Sequence, residues 1–131
     1  MQAKTYGSAL QGVNAQLITI EVDVGQGTGF FMVGLPDNAV KESGQRVETS
    51  IRSLGYKMPR NKTVVNLAPA DVRKEGSAYD LPIAVAILQA SDQMHCPQLD
   101  KYLIMGELAL DGTLRPIKGA LPIAIEARKH Q

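Results

Sequence analysis

The residues best suited to chemistry lie in one loop, Lys74 to Asp80, which joins a short strand to an unusually apolar helix. The loop brings an ammonium group, carboxylates and a hydroxyl close together in sequence, and Gly76 permits a tight turn there. Ser77 and Asp80 are both suitable N-caps for the helix. Pro82 favours Asp80, because proline fits in the first helical turn but breaks a hydrogen bond further in. The sequence therefore predicts that Asp80 caps the central helix.

Two other stretches contain residue types that bind ligands, but their spacing is unsuitable. The glycine-rich stretch 25–29 leads into a strand rather than a helix, and it lacks the final glycine of the dinucleotide-binding fingerprint. His95 and Cys96 are adjacent and His130 is distant, whereas a zinc site needs three or four ligands at suitable spacing. We therefore predict neither a phosphate loop nor a metal site.

The spacing of apolar residues predicts the elements that hold the loop. Residues 81–88 are all apolar or proline, which indicates a helix buried on all sides. Apolar residues alternate with polar ones over 16–24, which indicates a half-exposed strand. The glycines at 25–29 predict a hairpin from that strand into 30–33, and Asp111-Gly112 predicts another hairpin turn. Further strands are expected at 4–10, 63–68 and 102–105, and further helices at 40–54 and 120–129.

This order of elements predicts an α+β fold in which helices cover one face of a mixed sheet in two layers. A chain of 131 residues suits one domain, 1–131, which buries roughly two-thirds of the surface exposed by its unfolded chain. The last predicted helix ends at Lys129, and no C-cap follows before the chain stops at Gln131, a pattern that predicts the front piece of a longer protein.

Composition narrows the class of partner and the compartment. Lys and Arg number 14 against 13 Asp and Glu, and this balance argues against a protein that coats nucleic acid. A local basic patch remains compatible with it, and Lys57, Arg60 and Lys62 form the first local excess of positive charge. Cys96 is the single cysteine, and the sequence shows neither a signal segment nor a long apolar run. We therefore expect a cytoplasmic protein with no membrane contact.

Several motifs together resemble the N-terminal domain of the magnesium chelatase-like AAA+ proteins of the ComM/YifB type. They are Gly34-Leu35-Pro36, Glu42-Ser43 with Arg46-Val47, Asn66-Leu67-Ala68-Pro69-Ala70, Lys74 to Pro82, Gly106-Glu107-Leu108 and Leu114 to Gly119. The resemblance covers nearly the whole chain and implies a Lon-protease-like module of the ribosomal-protein-S5 domain 2-like fold. It also implies an ATPase module, with ATP and Mg²⁺, outside these residues. No Gly-x-x-x-x-Gly-Lys-Ser/Thr loop occurs here, so we expect no cofactor in this piece.

The likeness to Lon proteases implies where a catalytic pair would lie. Lon enzymes use a serine nucleophile and a lysine that takes its proton. When the Lon-type motif is laid onto this sequence, the serine position falls on Ala78 and the lysine position on Leu121, and neither residue can act as a nucleophile or a base. The resemblance thus implies a domain without catalytic residues. Ser77 and Lys118 lie close to the two positions, so a peptidase with a displaced pair is an alternative.

The resemblance implies that the parent protein is a hexameric, ATP-driven motor that acts on branched or single-stranded DNA during recombination of incoming DNA in competent cells. In that case this domain contacts DNA or organises the ring. The expected DNA contacts are loop cations, with Arg73, Lys74, Arg115 and Lys118 as the first group and Lys57, Arg60 and Lys62 as the second. A regulatory or oligomerisation module that binds protein and never touches nucleic acid is another alternative. Insertion of magnesium into a porphyrin, which the family name evokes, finds no metal or tetrapyrrole signature here.

Overall fold

The computed structural model describes residues 1–11, 14–117 and 120–129, except for the side chains of Gln11 and Leu121. One four-stranded sheet contains β1 (Gln2–Gln11), β2 (Asn14–Gly25), β3 (Phe30–Val33) and β4 (Lys62–Ala68), in the spatial order β1-β2-β4-β3. β2 is antiparallel to both β1 and β4, whereas β3 runs parallel to β4. The sheet is therefore mixed, as the sequence predicts.

The predicted hairpin between β2 and β3 is wrong, because β4 lies between these two strands. The glycine-rich connection carries the chain past the position that β4 fills. The start of β4 bonds to this connection, where Lys62 N donates to Gly27 O at 2.8 Å and Thr63 N donates to Gly29 O at 2.9 Å. A local turn signal could not reveal a partner strand so far away in sequence.

The core lies between the sheet and the helices α2 (Ser43–Ser53) and α3 (Asp80–Ala90). The predicted inward face of β2 is confirmed, since Ile18, Ile20 and Val22 are buried. These residues share one apolar cluster with Val65 and Leu67 of β4, Val47 and Ile51 of α2, and Ile83 and Ile87 of α3. Most of α3 is buried, as its apolar sequence predicts. It is therefore the central helix.

The predicted helix over 40–54 is divided in two. A short α1 (Asn38–Lys41) precedes α2, and the backbone is interrupted at Glu42. The predicted end of the helix is confirmed by Gly55, whose φ of 91° is strained for residues with a side chain. The break lets Asp37 cap α1 while α2 packs separately against α3.

The last third of the chain holds short elements. A 3₁₀ turn (Leu99–Lys101) precedes β5 (Glu107–Leu108) and β6 (Leu114–Arg115), which form the hairpin predicted from Asp111-Gly112. α4 (Ala120–Lys129) then contacts β1 and β2. The predicted strand over 102–105 is wrong as a full strand, because the only pairing there joins Leu103 to Tyr6 in a single bridge. The α+β class is thus confirmed.

Candidate functional site at the start of the central helix

Asp80, at the start of α3, is the best-connected side chain of the loop. Its Oδ1 accepts from Ser43 Oγ at 2.6 Å and from Arg46 Nη2 at 3.0 Å, and its Oδ2 accepts from Arg46 Nε at 2.7 Å and from Leu108 N at 3.1 Å. The side chain is completely buried. One carboxylate therefore joins α2, α3 and β5.

The predicted role of Asp80 as an N-cap is wrong. Tyr79 occupies the N-cap position, and no side chain caps the helix there. The Asp80 carboxylate instead takes the guanidinium in a two-point, charge-assisted contact, which is stronger than a bond to one backbone N–H. Hydrogen bonding to Asp80 raises the pKa of Arg46, although burial acts in the opposite direction.

Asp37 holds the other side of the loop. Its Oδ1 accepts from Val40 N at 2.7 Å, and its Oδ2 accepts from Gly76 N at 3.1 Å. The backbone adds two bonds, from Asp37 N to Lys74 O at 2.9 Å and from Lys74 N to Leu35 O at 3.0 Å. The loop is therefore fixed on both flanks before the central helix begins.

Lys74 was expected to be a surface cation in the first DNA-binding group, and the structure contradicts this. Its side chain is buried, and its Nζ donates to the carbonyl of Pro69. Burial lowers the pKa of the ammonium, and only the charge of Asp71 acts against this shift. A buried ammonium that bonds to its own loop cannot meet a phosphate from outside.

Ser77 donates a hydrogen bond to Oε1 of Glu107, and Oε2 of the same carboxylate lies 3.4 Å from Nε of Arg115. The Ser77 hydroxyl therefore donates to a carboxylate that forms an ion pair with Arg115, and not to a lysine. Lys118 lies outside the described residues, and so does the side chain of Leu121.

Ser77 and Ala78 line a pocket of about 500 Å³. Its wall combines the end of β1, at Ser8 and Leu10, with Met105, Glu107 and Ile123. Tyr79 spans the wall and donates from its hydroxyl to Ser8 O at 2.9 Å, and burial raises the pKa of this phenol. The volume falls in the range of roughly 300–1,000 Å³ that is common for ligand sites.

Sequence reasoning missed several of these residues. Ser8 and Tyr79 stand far apart in the chain, and no local spacing predicts their contact. Glu107 stood out only as part of the motif Gly106-Glu107-Leu108. Neither of its neighbours in the sequence indicates that its carboxylate contacts Ser77.

The other cations that were predicted to contact DNA differ in whether an acidic side chain pairs with them. Arg73 is exposed, and its Nε lies 3.3 Å from Glu75, so both arginines of the first group face acids. Lys57, Arg60 and Lys62 are exposed, and none of them forms an ion pair with another residue in the described ranges. The second group therefore keeps its positive charge available to solvent.

An aromatic ring accompanies the second group. Lys62 Nζ lies 5.4 Å from the centre of the Phe31 ring, and Phe31 is 48% exposed. Lys57 and Arg60 also line an open cleft of about 890 Å³ together with Tyr56, which is exposed. We call Phe31, Tyr56, Lys57, Arg60 and Lys62 the cationic–aromatic surface.

No cluster of three His, Cys, Asp or Glu side chains in the described part of the chain is arranged to hold a metal ion. Among the described helices, none has the length and apolar character needed to span a membrane.

Comparison with known proteins shows to which family the chain belongs. A family model described as subunit ChlI of Mg-chelatase matches residues 20–131. The chain is 52% identical over 122 residues to the protein YifB of Escherichia coli, and 45% identical over 130 residues to the competence protein ComM of Haemophilus influenzae. These alignments cover 92% and 98% of this chain but only 24% and 26% of the two relatives, so the chain spans about a quarter of their length. The chain belongs to the magnesium chelatase-like family that includes YifB and ComM.

Proposed function

We propose that this chain is a non-enzymatic, Lon-protease-like domain of the ribosomal-protein-S5 domain 2-like fold, and that it forms the N-terminal part of a cytoplasmic AAA+ motor that processes DNA. One relative bears the name competence protein, and in this proposal the motor works during uptake of DNA. In this proposal ATP and Mg²⁺ bind to a separate ATPase module, and six copies form the ring. The domain contributes a DNA contact to that ring.

The absence of catalysis is supported by the surroundings of Ser77. A nucleophilic serine needs a base that takes its proton and leaves the oxygen free to attack. The Ser77 proton points to Glu107, and Arg115 holds the negative charge of that carboxylate. Ala78, at the position of the Lon-type serine, has no hydroxyl that could act as a nucleophile. The Ser77 hydroxyl therefore serves to hold the loop against β5.

The cationic–aromatic surface is the observation that carries the DNA contact. Proteins that bind single-stranded nucleic acid combine cations that follow the backbone with aromatic rings on which bases stack. Phe31 is exposed beside Lys62, and Tyr56 is exposed in the cleft that Lys57 and Arg60 also line. Neighbouring acids neutralise Arg73 and Arg115, and Lys74 is buried, so the first group is the weaker candidate.

The test is binding of a short fluorescent oligonucleotide to the chain at low salt. One variant changes Lys57, Arg60 and Lys62 to Gln. A matched control changes Arg73, Lys101 and Arg115 to Gln, which removes the same total charge from other exposed positions. With about three phosphate contacts, log K should fall with log salt at a slope of about −2 for single strands and about −3 for duplex DNA.

We expect the first variant to lose most of its affinity and its salt slope, whereas the control retains both. Equal binding by the two variants would show that net charge, not this surface, attracts DNA. Absence of any binding by the wild type at low salt would reject the DNA contact and favour a module that organises the ring or binds protein.

A further inference from the structure

The outer edge of β1 is only partly paired. Leu103 lies beside Tyr6 in a parallel bridge, and Ile104 N donates to Tyr6 O at 2.7 Å. The chain then leaves β1, because Gly106 N donates instead to Ala78 O at 2.8 Å. The segment 103–105 thus accompanies β1 for a short distance and turns away towards α3.

The pocket beside Ser77 begins where this segment leaves. In an antiparallel pair, the backbone groups of alternate residues point away from the partner strand. Tyr6 and Ser8 belong to the outward set, since Tyr6 O bonds to Ile104 and Ser8 O bonds to Tyr79. The same alternation turns the N–H and C=O of Leu10 outward. Leu10 lines the pocket and is 45% exposed.

The polar groups on this wall are incompletely bonded. Among the residues that the structure describes, Ser8 N has only the thioether of Met105 as an acceptor, at 3.4 Å, and thioether sulfur is a weak acceptor. Ser8 Oγ is buried and has no hydrogen-bond partner among the described residues. Buried polar groups in native proteins are nearly always bonded, so the wall of this pocket departs from the usual pattern at these two atoms of Ser8.

The charges on the wall select the kind of partner. Glu75 and Glu107 face Arg73 and Arg115, and Asp37 bonds to two backbone N–H groups. This leaves no excess of positive charge to attract phosphate. Ile117 and Ile123 add apolar surface. Within the described part of the chain, no segment pairs with the outer edge of β1 at Leu10. Such a strand edge with apolar surroundings fits the alternating donors, acceptors and side chains of an extended peptide.

We propose that this pocket binds an extended segment of another polypeptide. The segment pairs with the outer edge of β1 at Leu10, beyond the point where residues 103–105 leave that edge. Backbone bonds to Leu10 hold the segment, and an apolar side chain rests against Ile117 and Ile123. The proposal is independent of the DNA contact, because the pocket and the cationic–aromatic surface share no residue.

The probe is reduced, carboxymethylated α-lactalbumin, an unfolded polypeptide, added to ¹⁵N-labelled chain. We expect the amide signals of Ser8 and Leu10 to shift, and hydrogen exchange at Leu10 to slow by about tenfold or more. Leu10→Pro removes the outward N–H and should weaken binding by about tenfold, a loss of about 1.4 kcal/mol. Lys4→Pro is the matched control, because Lys4 has the same outward register on β1 but lies outside the pocket.

Thermal melts establish that both proline variants fold. Ile117→Glu leaves β1 intact, places a charge on the apolar wall and should also abolish binding, which keeps the test decisive if a proline variant unfolds. Unchanged Leu10 signals, or equal binding by Leu10→Pro and Lys4→Pro, would overturn the proposal. So would displacement of the probe by an oligonucleotide, or a change of oligomeric state in Leu10→Pro, which would make the edge an interface between copies.

Discussion

Arg46 of α2 grips Asp80 of α3 with two nitrogens, at 2.7 Å and 3.0 Å, although the two residues stand 34 positions apart in sequence. The carboxylate is completely buried, whereas the arginine side chain keeps a 22% exposed fraction. Among the described residues, Arg46 is the cation that compensates the buried negative charge of Asp80. This pair connects the two helices that cover the core, and through Leu108 N it also fixes the hairpin that carries Glu107.

Asp80→Ala should lower the free energy of unfolding by about 3–5 kcal/mol, because it leaves a partly buried guanidinium and a buried serine without their acceptor. Urea unfolding measures the change. Asp111→Ala is the control, since this exposed carboxylate bonds only within its own turn and its pKa is lowered by the Thr113 N–H. A loss of only about 1 kcal/mol, the usual cost of an N-cap, would show that the cluster contributes little.

Ser8→Ala should raise the free energy of unfolding by about 1 kcal/mol, because it removes a buried hydroxyl that lacks a partner. Ser43→Ala changes another buried serine, whose hydroxyl bonds to Asp80, and should destabilise. Denaturant unfolding of the pair gives opposite signs if the contacts are as described. A destabilised Ser8→Ala variant would mean that Ser8 Oγ has a partner in the folded protein.

Raising the pH above neutrality should stabilise the wild type relative to Lys74→Met. The folded-state pKa of Lys74 lies below its ordinary value of 10.5, so between these two values the unfolded chain binds more protons. The free energy of unfolding contributed by Lys74 therefore rises with pH through this window and levels off above about 10.5.

The difference in stability between wild type and Lys74→Met isolates this lysine from groups such as Tyr79, whose raised pKa acts in the opposite direction at high pH. Unfolding in urea at a series of pH values measures it. A difference that stays constant or falls with rising pH would mean that the ammonium is well solvated.

The chain should hydrolyse neither unfolded casein nor ATP, and Ser77→Ala should leave both rates at background. The Ser77 hydroxyl donates to a carboxylate that Arg115 holds, and this geometry does not activate it. Fluorescent casein and phosphate release measure the two rates. Casein cleavage that Ser77→Ala abolishes, in a variant that still melts cooperatively, would establish the displaced peptidase.

Periodicity predicted the elements well because it reflects burial, which is set locally by the face that each side chain occupies. The inward face of β2 and the burial of α3 are examples. Pairing was harder. The turn between β2 and β3 has every local feature of a hairpin, yet β4 offers a longer antiparallel partner to β2 and thereby separates the two strands.

The position of the loop before the central helix could be predicted from the sequence, but its side-chain contacts could not. The loop is marked in the sequence by Gly76, Ser77 and Asp80. The side chain of Asp80, however, bonds to Arg46 and does not cap the helix. Lys74 looks like any loop cation until burial is known. Such outcomes depend on which partners the fold brings together, and no spacing within one stretch contains that information.

The strand order has a consequence for synthesis on the ribosome. β1 and β2 are neighbours in sequence and can pair as soon as both have emerged, whereas β3 has no strand to pair with until β4 follows about thirty residues later. At about 5–20 residues per second, the nascent chain therefore exposes the apolar residues of β3 for a few seconds. A hairpin between β2 and β3 in this interval would occupy the edge of β2 that β4 takes in the folded protein, and β4 could then pair only after that hairpin opens.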